Sequence, residues 1–425
     1  MEDIMDKIVV KGGYKLCGEV SISSAKNSVL PIIAASILCE DKCYIENAPM
    51  LEDVIVISNL LKSLGAGVEF DNKYDRVIID TKSLMPSDPN SELVRRMRAS
   101  FLIMGPMIAR FGRFKISLPG GCNIGTRPID LHLKGLTSLG AKINLGHGYV
   151  EVSTNKLIGN KIYLDFPSVG ATENIMMAAV LAEGETTIEN AAAEPEIEDL
   201  ARFLNSMGAQ VNGAGTDTIK ISGVKRLKGI TYKPICDRIE AGTFMTAAAI
   251  TKSRIKIIGA DEEHLKPVIA KLTECGVSME ICGDSIIVDG TKELKPVDIK
   301  TMPYPGFPTD MQAQMMALLC KVRGTSVITE TVFENRFMHA SELKRMGANI
   351  KIDGRSAVVE GVEGLSGAEV KATDLRAGAA LILAGLVAEG DTTIGDIYHI
   401  DRGYVKIEDK LKKLGANIKR IESKE

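Results

Sequence analysis

Leu61-Lys-Ser-Leu-Gly-Ala-Gly-Val68 is a phrase that this chain repeats six times in all. It returns as Leu136-Thr-Ser-Leu-Gly-Ala-Lys-Ile143, as Leu204-Asn-Ser-Met-Gly-Ala-Gln-Val211 and, in degraded form, as Leu272-Thr-Glu-Cys-Gly-Val-Ser-Met279. The last copies are Leu343-Lys-Arg-Met-Gly-Ala-Asn-Ile350 and Leu411-Lys-Lys-Leu-Gly-Ala-Asn-Ile418. The central glycines fall at 65, 140, 208, 276, 347 and 415, in steps of 75, 68, 68, 71 and 68 residues. That period exceeds the roughly 20–50 residues of a solenoid repeat. The repeated object is therefore a whole supersecondary unit.

Each phrase closes an amphipathic helix on a glycine, which takes the left-handed position just past the helix end. A β-rich run follows, and in Leu414-Gly-Ala-Asn-Ile-Lys-Arg-Ile421 the apolar period changes from 3.6 to 2. Upstream of each copy lies a second helix that is apolar nearly all round. These span Ser24–Leu38, Arg98–Arg110, Gly170–Ala182, Glu240–Thr251, Asp310–Lys321 and Asp374–Ala388. A helix with no polar face is buried on every side. Short strands come next, as in Glu185-Thr-Thr-Ile188, Thr325-Ser-Val-Ile328 and Asp391-Thr-Thr-Ile394. The unit reads as strand, buried helix, strand, surface helix, strand, strand, a βαβαββ pattern. Three units around a core of buried helices make one domain, and two such domains make the chain.

Bulk composition narrows the function. At 425 residues the chain needs two or three domains. With 25% charged and 45% hydrophobic residues it is an ordinary globular sequence. A net charge of −3 provides no field to recruit nucleic acid. Trp is absent and aromatics are 4%, which disfavours stacking platforms for single strands. The start, Met1-Glu-Asp-Ile-Met-Asp-Lys7, has neither the basic nor the apolar part of a signal peptide. The longest apolar stretch, Ala377–Ala388, falls well short of the ~20 residues that span a bilayer. The eight cysteines form no C-x-x-C pair and sit mostly in apolar company, which fits reduced thiols in the cytoplasm. The five histidines lack ligand spacing. Neither a metal nor a cofactor is expected.

The buried helices are apolar in the middle and polar in front. Their first turns carry Lys26-Asn27, Arg98, Ser168, Asp237-Arg238, Thr309-Asp310 and Asp374-Leu-Arg376. Helix N-termini present unpaired N–H groups and the positive end of the dipole, so they suit anions. For one helix, these are ordinary caps and surface charges. Recurrence at one place in the repeat points instead to an anion-binding cleft between the two domains, rich in Lys and Arg with aspartates among them. Pro119-Gly-Gly-Cys-Asn-Ile-Gly-Thr-Arg-Pro128 is the most unusual segment. Its glycines allow movement and close approach to a ligand. A cation such as Arg127 would lower the pKa of Cys122, although a small loop cysteine more often has no task. Asp310 reads locally as a routine first-turn acid. Arg336 and Arg402 sit in polar loops between strand and helix, where function gathers.

Along essentially its whole length the chain resembles the enolpyruvyl transferases, and among them those whose acceptor is UDP-N-acetylglucosamine. The resemblance is carried by Ser23-Ser-Ala-Lys-Asn-Ser28, Met97-Arg-Ala-Ser100, Pro119-Gly-Gly-Cys-Asn-Ile-Gly125, Arg127-Pro-Ile-Asp-Leu-His132 and Ser168-Val-Gly-Ala-Thr172. It continues in Glu194-Pro-Glu-Ile197, Asp237-Arg-Ile-Glu240, Phe307-Pro-Thr-Asp-Met-Gln312, Glu334-Asn-Arg-Phe-Met-His339, Ala372-Thr-Asp-Leu-Arg376 and Tyr398-His-Ile-Asp-Arg-Gly403. Ser24 stands where the family usually has Gly, and Leu102 where an aromatic is frequent.

The resemblance implies a two-domain inside-out α/β barrel of six βαβαββ repeats, three per domain. Residues 22–232 would form the first domain, and 1–21 with 233–425 the second, with the active site in the cleft. It implies transfer of the enolpyruvyl group of phosphoenolpyruvate to the 3′-hydroxyl of UDP-N-acetylglucosamine, by addition and elimination through a phosphorylated ketal. This is a cytoplasmic step of peptidoglycan precursor synthesis. Cys122 would protonate the methylene carbon and be the target of the epoxide phosphonate fosfomycin. Asp310, held ionised by arginines, would take the hydroxyl proton. Lys26, Arg127 and Arg402 would hold the phosphate, and Arg336, Asp374 and Arg376 would orient the carboxylate and Lys26, with Asn27 beside them. Asn27, Arg98, Arg127, Ser168, Val169, Asp310 and the backbone of Val332 would meet the sugar nucleotide. The Cys122 loop would close as a lid once the nucleotide sugar binds. Rival readings are the sibling activity on shikimate 3-phosphate, a catalytically silent UDP-sugar-binding paralogue and a scaffold without a small-molecule site. The Gly-Gly-Cys loop disfavours the first, and intact Lys26, Cys122, Asp310 and Arg402 disfavour the second. Both partners implied are small molecules, with no protein partner indicated.

Overall fold

The computed structural model describes residues 6–71, 73–118, 120 and 129–422. Each repeated phrase is a Schellman motif. In the first copy, the N–H of Ala66 donates to the Leu61 carbonyl at 3.0 Å and that of Gly65 to Lys62 at 3.0 Å. The same two bonds recur as Ala141 to Leu136 and Gly140 to Thr137, Ala209 to Leu204 and Gly208 to Asn205, and Val277 to Leu272 and Gly276 to Thr273. They recur again as Ala348 to Leu343 and Gly347 to Lys344, and as Ala416 to Leu411 and Gly415 to Lys412. The six glycines have φ between 90° and 108°. The phrase is thus the chemical specification of a helix end: an apolar residue three from the cap, a left-handed glycine, and a small residue folded back onto the first.

Two of these glycines separate the two costs of adding a methyl group. At Gly208 (φ 108°) a Cβ would meet nothing within 4 Å, whereas at Gly65 (φ 94°) it would lie 2.7 Å from the Ser83 carbonyl oxygen. Gly208→Ala is expected to cost only the left-handed strain, about 1–2 kcal/mol. Gly65→Ala should cost measurably more in the same urea titration. Equal losses would show that the close approach to Ser83 contributes nothing.

The chain divides into two compact units, crossing between Ser23 and Ser24 and again between Ile235 and Cys236. In the unit of residues 24–235, the buried helices are Lys26–Ala35, a 3₁₀ turn Arg98–Ile103 leading into Met104–Phe111, and Val169–Ala179. In the other unit they are Arg238–Ile250, Gln312–Leu319 and Leu375–Gly385, which pack on one another. Ala171 to Ala179, Ile239 to Ile250 and Arg376 to Gly385 are buried without interruption. Around them stand the surface helices Glu52–Ser63, Asp130–Ser138 and Pro195–Ser206 in one unit, and Glu262–Glu274, His339–Arg345 and Ile407–Lys413 in the other.

Each repeat owns a sheet. In one of them, Glu19–Ser21 runs parallel to Arg254–Ile258, which pairs antiparallel with Ser285–Asp289 and through it with Ser278–Cys282. That is the βαβαββ order with its first strand at the edge. The second sheet departs from the expected pattern. Among the described residues it has three strands, Arg113–Ser117, Tyr149–Ser153 and Lys142–Gly146. The segment that would supply the edge, Met85-Pro-Ser-Asp-Pro89, carries two prolines without N–H donors. The helix expected over Arg98–Arg110 is also broken, because Pro106 has no N–H for the Leu102 carbonyl, and the turn before it tightens to 3₁₀.

Both units close on strands brought from elsewhere in sequence. Thr231–Tyr232 lies parallel to Cys43–Glu46, so the end of the first unit completes its first sheet. Lys7–Lys11 inserts between Asp391–Gly395 and Asn417–Ile421, antiparallel to both, from Ile8 opposite Ile394 and Arg420 to Lys11 opposite Asp391 and Asn417. Ile8 and Val10 are fully buried there.

Candidate active site

In the unit of residues 236–425, the first turn of a buried helix is the 3₁₀ segment Thr309–Met311. It carries Asp310, whose two oxygens are divided between two arginines: Arg336 Nη2 donates to Oδ1 at 2.7 Å and Arg376 Nη2 to Oδ2 at 2.9 Å. Both guanidinium side chains are only 4% exposed, while the carboxylate is 27% exposed. A charge-assisted clamp of this kind fixes the direction of the carboxylate and leaves its outer face accessible. Burial works against the charge on Arg376, but the Asp310 carboxylate, with smaller contributions from Tyr404 and Asp237, raises its pKa above the ordinary guanidinium value. Arg336 Nε and Arg376 Nη1 are buried and have no hydrogen-bond partner among the described residues. Buried donors without acceptors are costly in a finished core, and here they suit an anionic ligand.

Asp374 caps the helix Leu375–Gly385, accepting from the N–H groups of Arg376 at 2.9 Å and Ala377 at 3.1 Å. It thereby sets the start of the helix from which Arg376 reaches Asp310. The N–H of Val332, expected at the sugar nucleotide, donates to Glu330 Oε1 at 2.8 Å, which leaves the carbonyl as the backbone group for a ligand. Arg402 ends the short helix Tyr398–Asp401. Gln314, Thr243 and Tyr404 form a buried polar network behind Asp310. Gln314 Nε2 donates to the Asp310 carbonyl at 2.9 Å, and the Thr243 and Tyr404 hydroxyls lie 2.9 Å apart.

His339 is fully buried in the same unit. Burial, the largest cause, and Arg336 push its pKa down, Asp374 pulls the other way, and the result is about 4 against an ordinary 6.5. A base whose folded pKa is depressed stays neutral while the unfolded chain takes up a proton. Stability is therefore intact above about pH 6.5 and lost as pH falls toward 4, at ~1.4 kcal/mol per unit and ~3 kcal/mol in all. The difference in unfolding free energy between the natural chain and His339→Gln should shift by that amount between pH 7 and pH 4 in urea titrations. A difference independent of pH would contradict it.

In the unit of residues 24–235, Lys26 opens a buried helix and pairs with Asp53 at 3.2 Å, with side chains 13% and 4% exposed. Pro31 has no N–H for the Asn27 carbonyl, so the turn behind Lys26 keeps that oxygen out of the helix ladder. Ser28 donates to Asp199, a buried carboxylate that also accepts from the Tyr232 hydroxyl at 2.6 Å and the Ile235 N–H at 3.1 Å. Ser168 caps Val169–Ala179 through its Oγ and the Ala171 N–H at 3.4 Å. Arg98 begins the 3₁₀ turn. Burial first, and Arg98 second, lower the pKa of His132 to about 3. Asn174 Nδ2 lies 3.0 Å from His132 Nδ1 and donates to the Phe101 carbonyl at 3.0 Å. The amide is thus the donor to Nδ1, and the imidazole proton sits on Nε2.

Cys122 and Arg127 lie outside the described residues. Of the other expected residues, the structure brings Asp310, Arg336 and Arg376 into one cluster with Asp374 behind it. It places Lys26 and Asn27 on one helix front and Ser168 and Val169 on another. Sequence reading missed Asp53 and Glu330. Asp53 looks like one more acid in a surface-helix first turn. Glu330 had a faint signal, as a lone carboxylate between two threonines at the end of a β-rich run. Among the described residues no group of three or more His, Cys, Asp or Glu could hold a metal, and no helix is long and apolar enough to cross a membrane.

The profile of the family EPSP synthase (3-phosphoshikimate 1-carboxyvinyltransferase) matches residues 10–411. The chain is 73% identical over 417 residues to UDP-N-acetylglucosamine 1-carboxyvinyltransferase 2 of Clostridium tetani, covering 98% of this chain and 100% of that one. It is 69% identical over 418 residues to UDP-N-acetylglucosamine 1-carboxyvinyltransferase 1 of Clostridium acetobutylicum, with the same coverage of 98% and 100%. Among solved structures, the enolpyruvyl transferase NikO from Streptomyces tendae superposes with a TM-score of 0.90 at 26% identity, over 99% of each chain. An EPSP synthase from Acinetobacter baumannii shares the fold, with a TM-score of 0.75 at 20% identity over 98% of this chain and 100% of that one.

Proposed function

The chain belongs to the EPSP synthase family of 1-carboxyvinyl transferases, and from that premise we propose that it transfers the enolpyruvyl group of phosphoenolpyruvate to the 3′-hydroxyl of UDP-N-acetylglucosamine and releases phosphate. The observation that carries the acceptor is the 73% identity, end to end, to a relative named for it. The buried guanidinium pair of Arg336 and Arg376, with N–H groups still to be satisfied, supports a strongly anionic co-substrate.

In this reading Asp310 accepts the proton of the sugar hydroxyl as its oxygen adds to C2 of phosphoenolpyruvate. Cys122 delivers a proton to C3, giving the phosphorylated ketal. Loss of a C3 proton and of phosphate then leaves the enol ether. Lys26, Arg127 and Arg402 neutralise the phosphate as it leaves, and Arg336, Arg376 and Asp374 orient the carboxylate, with Asn27 alongside. Arg98, Asn27, Ser168, Val169 and the Val332 carbonyl hold the sugar nucleotide. The reaction supplies peptidoglycan precursor synthesis in the cytoplasm, with two small molecules as partners.

Phosphate release from phosphoenolpyruvate, with either UDP-N-acetylglucosamine or shikimate 3-phosphate as acceptor, tests the reading. Release with the sugar nucleotide alone is expected. Release with shikimate 3-phosphate alone would transfer the activity to the sibling reaction, and release with neither would mark a silent paralogue. Cys122→Asp should keep a proton donor and turn over while escaping inactivation by fosfomycin. A Cys122→Asp chain that is still inactivated would remove this thiol from its role.

A further inference from the structure

Glu330 is a carboxylate that the reaction does not use, 1% exposed. It follows the strand Thr325–Thr329. Its oxygens are divided between two segments that carry expected substrate contacts. Oε2 accepts from Thr309 Oγ1 at 2.9 Å, and Thr309 is the residue before Asp310. Oε1 accepts from the N–H groups of Val332 at 2.8 Å and Phe333 at 3.1 Å, and from Thr301 Oγ1 at 2.9 Å. Thr331 completes the ring, its N–H donating to Thr301 Oγ1 at 3.0 Å and its hydroxyl to the Thr301 carbonyl at 2.5 Å.

A buried carboxylate is tolerated when every lone pair is met. The four donors met here are two backbone N–H groups and two hydroxyls. A structural acid would need only to be satisfied. This one joins the turn that aims Asp310 to the loop that presents Val332 and leads to Arg336, the other partner of Asp310. The Asp310 carboxylate is thus held from its own turn through Thr309 and Glu330, and from the far side by two guanidinium groups.

We propose that Glu330 is a positioning residue which, through Thr309 on one oxygen and the Val332–Phe333 amides on the other, sets the distance between the Asp310 carboxylate and the Val332 carbonyl, and so holds the acceptor sugar in register with its base. The inference rests on the transferase reading given above. It concerns geometry alone, and Glu330 touches no reacting atom.

Steady-state kinetics of the full chain with both substrates, accompanied by thermal unfolding, test it. Thr309→Val removes only the tether on Oε2. It should lower kcat between about ten- and a hundred-fold, the usual penalty for a misplaced group, with KM for UDP-N-acetylglucosamine within about three-fold of the natural chain. Thr309→Ser restores the hydroxyl and should restore kcat. Glu330→Gln keeps the volume and every partner, since the amide oxygen still accepts and the Thr309 hydroxyl can rotate to accept from the new NH₂, so the fold survives, but it replaces charge-assisted bonds with weaker neutral ones on both sides. Weakening both arms should lower kcat and raise the sugar-nucleotide KM together, with the phosphoenolpyruvate KM changed less. A purely structural role would move the unfolding temperature without this split and without rescue by Ser. A Thr309→Val chain with natural kcat, or a Thr309→Ser chain as impaired as Thr309→Val, overturns the proposal. No phosphate release from the natural chain would overturn the transferase reading, and the proposal with it.

Discussion

Asp310→Asn should slow phosphate release by about 10²–10⁴-fold, the usual range for a lost general base. The amide keeps the size of the carboxylate but cannot take the hydroxyl proton. It also alters the clamp. One arginine still finds an acceptor, while the other faces an NH₂ group, donor against donor, at a position where Asp310 accepted at 2.7 or 2.9 Å. Arg336 and Arg376 are each 4% exposed and cannot turn to water for compensation. Removing one partner of a buried ion pair costs about 3–5 kcal/mol, so this variant should also unfold earlier. Arg376→Lys, which retains a cation at the clamp but loses the planar fork, perturbs the clamp while leaving the Asp310 carboxylate in place. A folded Asp310→Asn chain working within a few-fold of the natural rate would remove Asp310 as the base.

Removing residues 1–11 should abolish the folded unit of residues 236–425. Lys7–Lys11 is an inner strand, and its loss leaves Asn417–Ile421 with no partner strand and Asp391–Gly395 paired only with Glu369–Lys371. Ile8 and Val10 are fully buried, and Val9 between them is half-buried, the alternation of a strand with one face in the core. Losing two such side chains costs about 2–5 kcal/mol each before any backbone bond is counted, against a typical total of about 5–15 kcal/mol. Limited proteolysis should then cut freely between 236 and 422. Ile8→Ala should fall between the natural chain and the deletion, with Val9→Ala closer to natural. Natural resistance in the truncated chain would mean that the sheet closes without its inner strand.

The helix ends were the most legible feature because they depend on local chemistry. A Leu, a Gly four residues on and an Ala (Val277 in the fourth copy) directly after it specify a Schellman motif, and each of the six copies forms one. The buried helices were legible from their missing polar faces. Their exact starts were not, since Pro106 and the turn at Thr309 depend on which carbonyls lack donors. For the site, polar helix fronts singled out Asp310 and Arg376 and a polar loop singled out Arg336, but that they act together came from the family likeness, since the two arginines are 26 and 66 positions from the acid they hold. No local pattern announces a contact at that separation. Asp53 and Glu330 stayed hidden for the same reason, because their tasks are defined by partners 27, 29 and 21 residues away.

The placement of Lys7–Lys11 also bears on how the protein is made. A ribosome releases this strand long before its partners at Asp391–Gly395 and Asn417–Ile421. At ~5–20 residues per second, the intervening ~400 residues take ~20–80 s to emerge. During that time Ile8, Val9 and Val10 form an apolar, β-prone stretch with neither ladder satisfied, open to any passing strand edge. The unit that receives it can be finished only once those two partner strands have emerged. Birth of the chain therefore imposes a delay that refolding from denaturant does not, and yields from the two routes should diverge most when nascent chains are crowded.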